Sequence, residues 1–384
     1  MKRVLTFVLA VMLILMCGCS KPAEAPQTEA TTQPTQQPTT QPTQPPTELP
    51  TQPPTEPEAP KLVNPLTGEP VAALTNNRPY AVAINNSYGA MPQHGVAQAD
   101  ILYETLIEGE TRCMGIYYDM ASVTEPIGSI RSARRDFIRV AMAYDAIFVH
   151  KGLSPKQGSQ YDKYSAEVTF EQTGWNHVDG NNEAYKYFYI GRTEGYASEH
   201  RTFVKPEKIM EAAKALGCTM TREQSLNVGL RFDEEAAFEG STAKKITAYF
   251  NLGKDYNNKW TKYTRLTYNE DTGLYAAYQK HGGYNNGADY VDGNTGKALT
   301  FRNVLILHTP IETLGNKNGW MKIDVVGSGE GYFACNGQMV PIKWSRPTES
   351  DHYTYTLEDG TPITLGVGKT YIAIIPMTGH VAVE

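Results

Sequence analysis

Read for apolar and polar positions, the chain changes character along its length. Residues 4–16 are an apolar run broken only by Thr6, and residues 20–60 hold no aromatic side chain and one large aliphatic one, Leu49. From residue 61 on, short apolar segments alternate with turn residues. Residues 81–85 (AVAIN), just after Pro79, form a continuous apolar run of the kind expected of a buried strand. Residues 101–107 and 111–119 flank Glu108-Gly109-Glu110 and predict a β-hairpin. In its first arm, Leu102, Glu104, Leu106 and Glu108 fall on one face, and Ile101, Tyr103, Thr105 and Ile107 on the other. Ser132 reads as an N-cap, followed by Phe137, Ile138, Ala141 and Met142 at helical spacing. Residues 145–150 (DAIFVH) return as a strand.

Further along, residues 205–216 suit an amphipathic helix with Gly217 as its C-cap. Residues 220–231 mark a weak boundary. Beyond it the pattern turns β-rich, with candidate strands at 244–250, 261–269, 274–278, 301–308, 320–326, 331–336 and 369–376, separated by turns such as NEDTG, DGNTG and EDGT. The expected fold class is α+β: a mixed α/β N-terminal part over residues 61–220 and a β-rich C-terminal part over residues 221–384.

The two opening segments lie outside that body. Lys2, Arg3 and the apolar run that follows have the form of a secretory signal over residues 1–18. The run is too short to span a bilayer, which takes about 20 residues. Met16-Cys17-Gly18-Cys19 looks like a bacterial lipobox. There a small residue precedes the acylated Cys, so Cys19 is the lipid-attachment candidate, and the bulk of Met16 disfavours Cys17. Residues 19–60 then form a stalk carrying half of the chain's 24 prolines. Such a composition cannot bury enough surface to fold, and its prolines favour extended polyproline II. At ~3.1 Å per residue the stalk would reach on the order of 100 Å.

Charge and cysteine content narrow the function classes. The net charge is −6, and removal of Lys2 and Arg3 with the signal takes it to −8. An acidic body argues against nucleic acid as a partner. Cys113, Cys218 and Cys335 are odd in number and widely spaced, which argues against a disulfide framework and leaves room for a single pair. His94, His177 and His200 show no metal-ligand spacing, and neither a metal nor a cofactor is implied.

Several segments, taken in order, resemble the YerB-like lipoproteins, an uncharacterised family of Gram-positive cell envelopes. They are NPLTG at 64–68, Arg78-Pro79, ADILYETLIEGETR at 99–112, PIGSIRSAR at 126–134, YDAIFVHKG at 144–152, and the later NVLIL and PIKW. Near His200, where the family usually reads PHN, this chain has SEHRT. The resemblance implies a two-part extracellular lipoprotein and brings no reaction with it.

The densest polar constellation comprises Glu104, Glu108, Arg112, Arg131, Ser132, Arg134 and His150, to which His200 is added as a ligand-binding candidate. Arg131 and Arg134 fall at the start of a predicted helix, where the dipole disfavours cations by roughly 0.3–1 kcal/mol each. Two readings answer this. Either the arginines pair with Glu104 and Glu108 on the hairpin, or they hold an anionic ligand. Glu104 and Glu108, four apart on one strand face, would stand ~13 Å apart, too far for a typical glycosidase pair. His150 ends a strand, where ligand-facing groups occur in α/β folds, although a ring satisfied by the backbone is the plainer expectation. Residues 185–189 (YKYFY) with Trp175 suit either a sugar-stacking surface or cross-strand aromatic pairs.

No nucleophile–base signature appears, so the chain reads as a non-enzymatic envelope binding or scaffolding module. Its expected place is the outer face of the cytoplasmic membrane, held by the Cys19 anchor, with cell-wall polymer or another envelope protein as partner. An enzyme acting on wall glycan or peptide, and a small-molecule sensor or solute-binding protein, are the alternatives.

Overall fold

Strand β1 (Tyr80–Asn85) is buried along its whole length, because it is paired on both sides. It lies antiparallel to β3 (Glu110–Tyr117) and parallel to β4 (Ile147–His150). This accounts for its continuous apolar run, the pattern of an interior strand. The computed structural model describes residues 62–251, 258–284 and 286–384. The signal (1–18) and the acylated Cys19 with the stalk (19–60) lie outside the described residues.

The hairpin forms as the sequence predicts, from β2 (Ile101–Ile107) and β3. Its turn is tighter than expected. Ile107 pairs with Glu110, leaving a two-residue loop in which Glu108 has φ 53° and Gly109 φ 85°. Both positive φ values belong to the type I′ turn that matches strand twist. Glu108 therefore leaves the strand, and the expectation that it shares a face with Glu104 is corrected. Likewise, α1 (Arg135–Met142) starts later than predicted, with Arg134 and not Ser132 at the N-cap. Ala133 forms a bridge with Leu153, and this extended pairing delays the helix.

Among the described residues, the central sheet has eleven strands and mixes both halves of the chain. Strand β5 (His177–Asp179) continues it parallel to β4. In the second half, Lys245–Tyr249 (β6), Tyr263–Asn269 (β7) and Leu274–Lys280 (β8) form a smaller antiparallel sheet with Val381–Val383 (β13). The strands Asn303–Thr309 (β9), Gly327–Cys335 (β10), Gln338–Arg346 (β11) and Thr370–Pro376 (β12) join the central sheet instead. Strand β12 inserts between β2 and β9, parallel to both. In β11, Pro341 sits between the segment that pairs with Ser241–Thr242 and the one that pairs with Thr354–Thr356, so its missing N–H leaves no gap in a ladder.

Three layers result. On one face of β2, the Tyr103 hydroxyl meets that of Tyr144, just past α1, at 2.7 Å. On the other face, Glu104 reaches Thr264 of β7 at 2.7 Å. The helix α2 (Ala166–Thr173), capped by Ser165, presents Phe170 to His150 and His177. The predicted helix at 205–216 forms as α3 (Pro206–Ala215). Cys113, Cys218 and Cys335 are free thiols, so no pair forms among them.

Candidate functional site

The loop after β1, the hairpin tip, the strap before α1 and two loops of the smaller sheet converge on a cleft of about 450 Å³. Its wall carries Arg131, Glu110, Glu199, His200 and the aromatic side chains Tyr88, Trp260 and Tyr284; Lys262 and His281 close its floor.

The floor is built around Glu104, which is fully buried. One of its oxygens accepts from Asn86 (2.8 Å) and Thr111 (2.7 Å) and meets Lys262 Nζ at 2.8 Å. The other accepts from Thr264 (2.7 Å) and Tyr371 (2.6 Å). Burial pushes the carboxyl's pKa up, but Lys262 together with the hydrogen bonds from Lys262, Tyr371 and Thr111 outweighs it. The net shift is below the ordinary 4.5. Lys262 is saturated in turn, donating also to Thr264 (3.0 Å) and Gln279 (2.9 Å). This Lys–Glu pair is thus a neutral foundation. Beside it, burial and then the Lys262 charge depress the His281 pKa to about 3, so its ring is neutral.

At the rim, the predicted cluster divides. Arg134 donates to both oxygens of Glu108, at 2.6 and 2.9 Å, a bidentate pair that answers the N-terminal cation on the structural side. Arg112 stands 3.9 Å from the same carboxylate and donates at 2.8 Å to the Ser132 carbonyl. Arg131 joins neither. Among the described residues its guanidinium has no hydrogen bond and no ion pair, and it opens into the cleft. Burial and the neighbouring Arg134 both lower its pKa from the ordinary 12.5, against the pull of Glu199 and Glu108. A cation held in that position is short of an anion.

His200 closes one side. Asn85 turns its amide oxygen to the Ser87 N–H and hydroxyl, so its Nδ2 donates at 2.7 Å to His200 Nδ1, and the neutral ring keeps its proton on Nε2. Gly89 allows this approach, since a Cβ there would come within 2.9 Å of that Nε2. His150, by contrast, is fully buried and lines no part of the cleft. Its Nδ1 donates to the Gly152 carbonyl at 2.7 Å and its Nε2 meets His177 Nδ1 at 2.9 Å. Burial takes its pKa down to about 4.

The structure thus brings Arg131 and His200 into the cleft, with Glu104 beneath it. It gathers Glu108, Arg112, Ser132 and Arg134 into a brace at the hairpin tip and leaves His150 in the core. The aromatic stretch at 185–189 does not line the cleft; Tyr185 stands 69% exposed elsewhere. The rings that do line it are Tyr88, Trp260 and Tyr284, none of which stands out in the sequence pattern. Their nearest signal is glycine, in SYG at 87–89 and HGGY at 281–284.

Two successive family models match the chain, so it falls in a class of two-part proteins. Residues 66–219 match the model described as "Protein of unknown function (DUF3048) N-terminal domain", and residues 254–372 match the corresponding C-terminal domain. The chain belongs to the YerB-like family. It is 27% identical over 321 residues to "Putative lipoprotein YerB" of Bacillus subtilis (strain 168), covering 83% of this chain and 87% of that one. The crystal structure of YerB from Bacillus subtilis superimposes with a TM-score of 0.69 at 25% identity, covering 84% of this chain and 100% of that chain.

Proposed function

We propose that the protein is a lipid-anchored envelope lipoprotein on the outer face of the cytoplasmic membrane, and that its body binds an anionic envelope component in the cleft around Arg131. The observation that carries this reading is the unpaired guanidinium. Its neighbours Arg112 and Arg134 share Glu108 and the floor lysine is matched by Glu104, yet Arg131 faces open space among polar and aromatic side chains. Concave sites with a few convergent polar groups among apolar ones are the usual form of ligand pockets. Relatedness to a protein named as a lipoprotein, together with the Met16–Cys19 lipobox, supports the anchor.

Thermal melts of the purified full-length chain with sodium acetate, sodium glucuronate and sodium phosphate test the cleft, because a ligand that binds only the native state raises Tm. At least one of these anions is expected to raise Tm in the wild type and not in Arg131→Gln. Equal shifts in both proteins, or none with any anion, would overturn the reading.

A further inference from the structure

The cleft also constrains what the anion is attached to, and this step rests on the reading that Arg131 receives an anion. Arg131 is the one lining cation, among the described residues, that has no partner, whereas Glu110 and Glu199 line the same space. With the floor pair neutral, the two carboxylates outnumber Arg131, so an anion bound there must carry as little charge as it can, a single negative charge placed on the guanidinium. A phosphate dianion would gain one guanidinium and face two carboxylates. Because carboxylates only accept hydrogen bonds, the rest of the ligand must bring donors to Glu110 and Glu199.

Flat apolar surface completes the description. Tyr88, Trp260 and Tyr284 are 50%, 65% and 42% exposed, unusual for rings of this size, and all three border this cleft. Tyr88 and Tyr284 are stacked with centroids 3.6 Å apart. Lys259 Nζ already sits 5.0 Å from the Trp260 ring centre. One face of that indole is therefore occupied, and the other offers flat apolar surface against which sugar C–H groups can pack. Hydroxyl donors, an apolar ring face and one carboxylate are together the chemistry of an acidic sugar.

The space does not stop at one ring. Tyr88 and His281 also border a second cavity of about 450 Å³, lined by Met91, Pro92, Asp289 and Tyr290. Each cavity falls within the range of about 300–1,000 Å³ typical of small-ligand pockets. The geometry points to a carboxylated oligosaccharide of two or more units, its acidic sugar on Arg131 and its neighbour carried past Tyr88 into the second cavity.

Calorimetric titration of the full-length chain with oligogalacturonides of one to four units tests this, alongside neutral chito-oligosaccharides of the same lengths, sodium acetate and the dipeptide alanyl-glutamate. Affinity is expected to rise by about tenfold or more from the monomer to the dimer or trimer, and to fall by a similar factor in Arg131→Gln. Met91→Ala, at a residue that lines the second cavity and not the first, should reduce the gain with length while leaving binding of the monomer. Far-ultraviolet dichroism and melts establish that both variants fold, and Trp260→Ala provides a second lesion at the exposed rim. Tighter binding of the neutral oligomers or of the dipeptide, or no dependence on length, would overturn the inference. If acetate binds through Arg131 and no sugar does, the inference fails and the anion cleft stands; if nothing binds, both fall.

Discussion

Glu104 and Lys262 meet at 2.8 Å with side chains 0% and 5% exposed, joining the central sheet to the smaller one beneath the cleft. Removing one member of a buried pair strands the other, at a cost of about 3–5 kcal/mol. Lys262→Met is accordingly expected to lower unfolding stability in urea by that amount. The Glu104 carboxyl titrates below its unfolded value, so its contribution is fully present above pH 4.5 and is lost as pH falls through the lower folded value. Lys262→Met should therefore also flatten the acid limb of the stability curve. A loss under about 1 kcal/mol, the range of exposed pairs, would show that the pair is solvated.

Glu108 has two roles that substitution can separate. Its carboxylate holds Arg134, and its backbone sits at φ 53°. Glu108→Gln and Glu108→Asn both remove the charge of a partly exposed bidentate pair, at a cost of about 1–2 kcal/mol, between the exposed and buried limits. Asparagine tolerates positive φ, for which other residues pay roughly 1–2 kcal/mol. Glu108→Asn should therefore be the more stable of the two in denaturant titrations. Equal midpoints would mean that the turn carries no strain.

His281 and His150 predict how stability changes in mild acid. Burial takes their pKa values to about 3 and about 4 from an ordinary 6.5. Below pH 6.5 the unfolded chain binds protons that the folded chain refuses, so stability falls as pH drops towards those folded values. Each group adds a slope of up to about 1.4 kcal/mol per pH unit in that window. Urea midpoints measured from pH 7 to pH 4 should decline less steeply for His281→Gln than for the wild type. Parallel curves would place the His281 ring in contact with solvent.

The anchor has its own test. Cys19→Ser is expected to abolish incorporation of labelled fatty acid and to shift the protein from the membrane pellet to the supernatant. Lipid labelling that persists in this variant would move the attachment point elsewhere.

Strands written as local patterns were legible in the sequence. The hairpin at 101–117, the interior strand at 80–85, α3 and β12 all follow from apolar runs bounded by turn residues. So, in part, was the brace, since Arg134 did require an acid and found Glu108. Other features needed a closer reading of signals that were present. Ser165 and Gly174 bracket α2 as ordinary caps, and β11 alternates buried Val340, Ile342 and Trp344 with exposed Pro341 and Lys343. The cleft itself was not legible. Tyr88, Arg131, His200, Trp260 and Tyr284 share no periodicity, and only the packing of the two sheets brings them together. That Glu104 lies under the cleft rather than in it depends on Lys262, whose proximity no local pattern announces.

The placement of β12 sets an order of events for the newborn chain. Leu102 pairs with Tyr371, and Tyr103 with Ile372, across most of the body's length. The chain emerges N-terminus first, so the hairpin is complete by residue 117 and must wait for a partner that begins at residue 370. Throughout that interval the first three strands present an apolar border with unanswered amides, the kind of border that recruits other chains. A stop or a protease cut ahead of residue 370 would therefore remove no mere tail. It would leave a wound in the middle of the sheet, and the cell would see an aggregating fragment instead of a shortened protein.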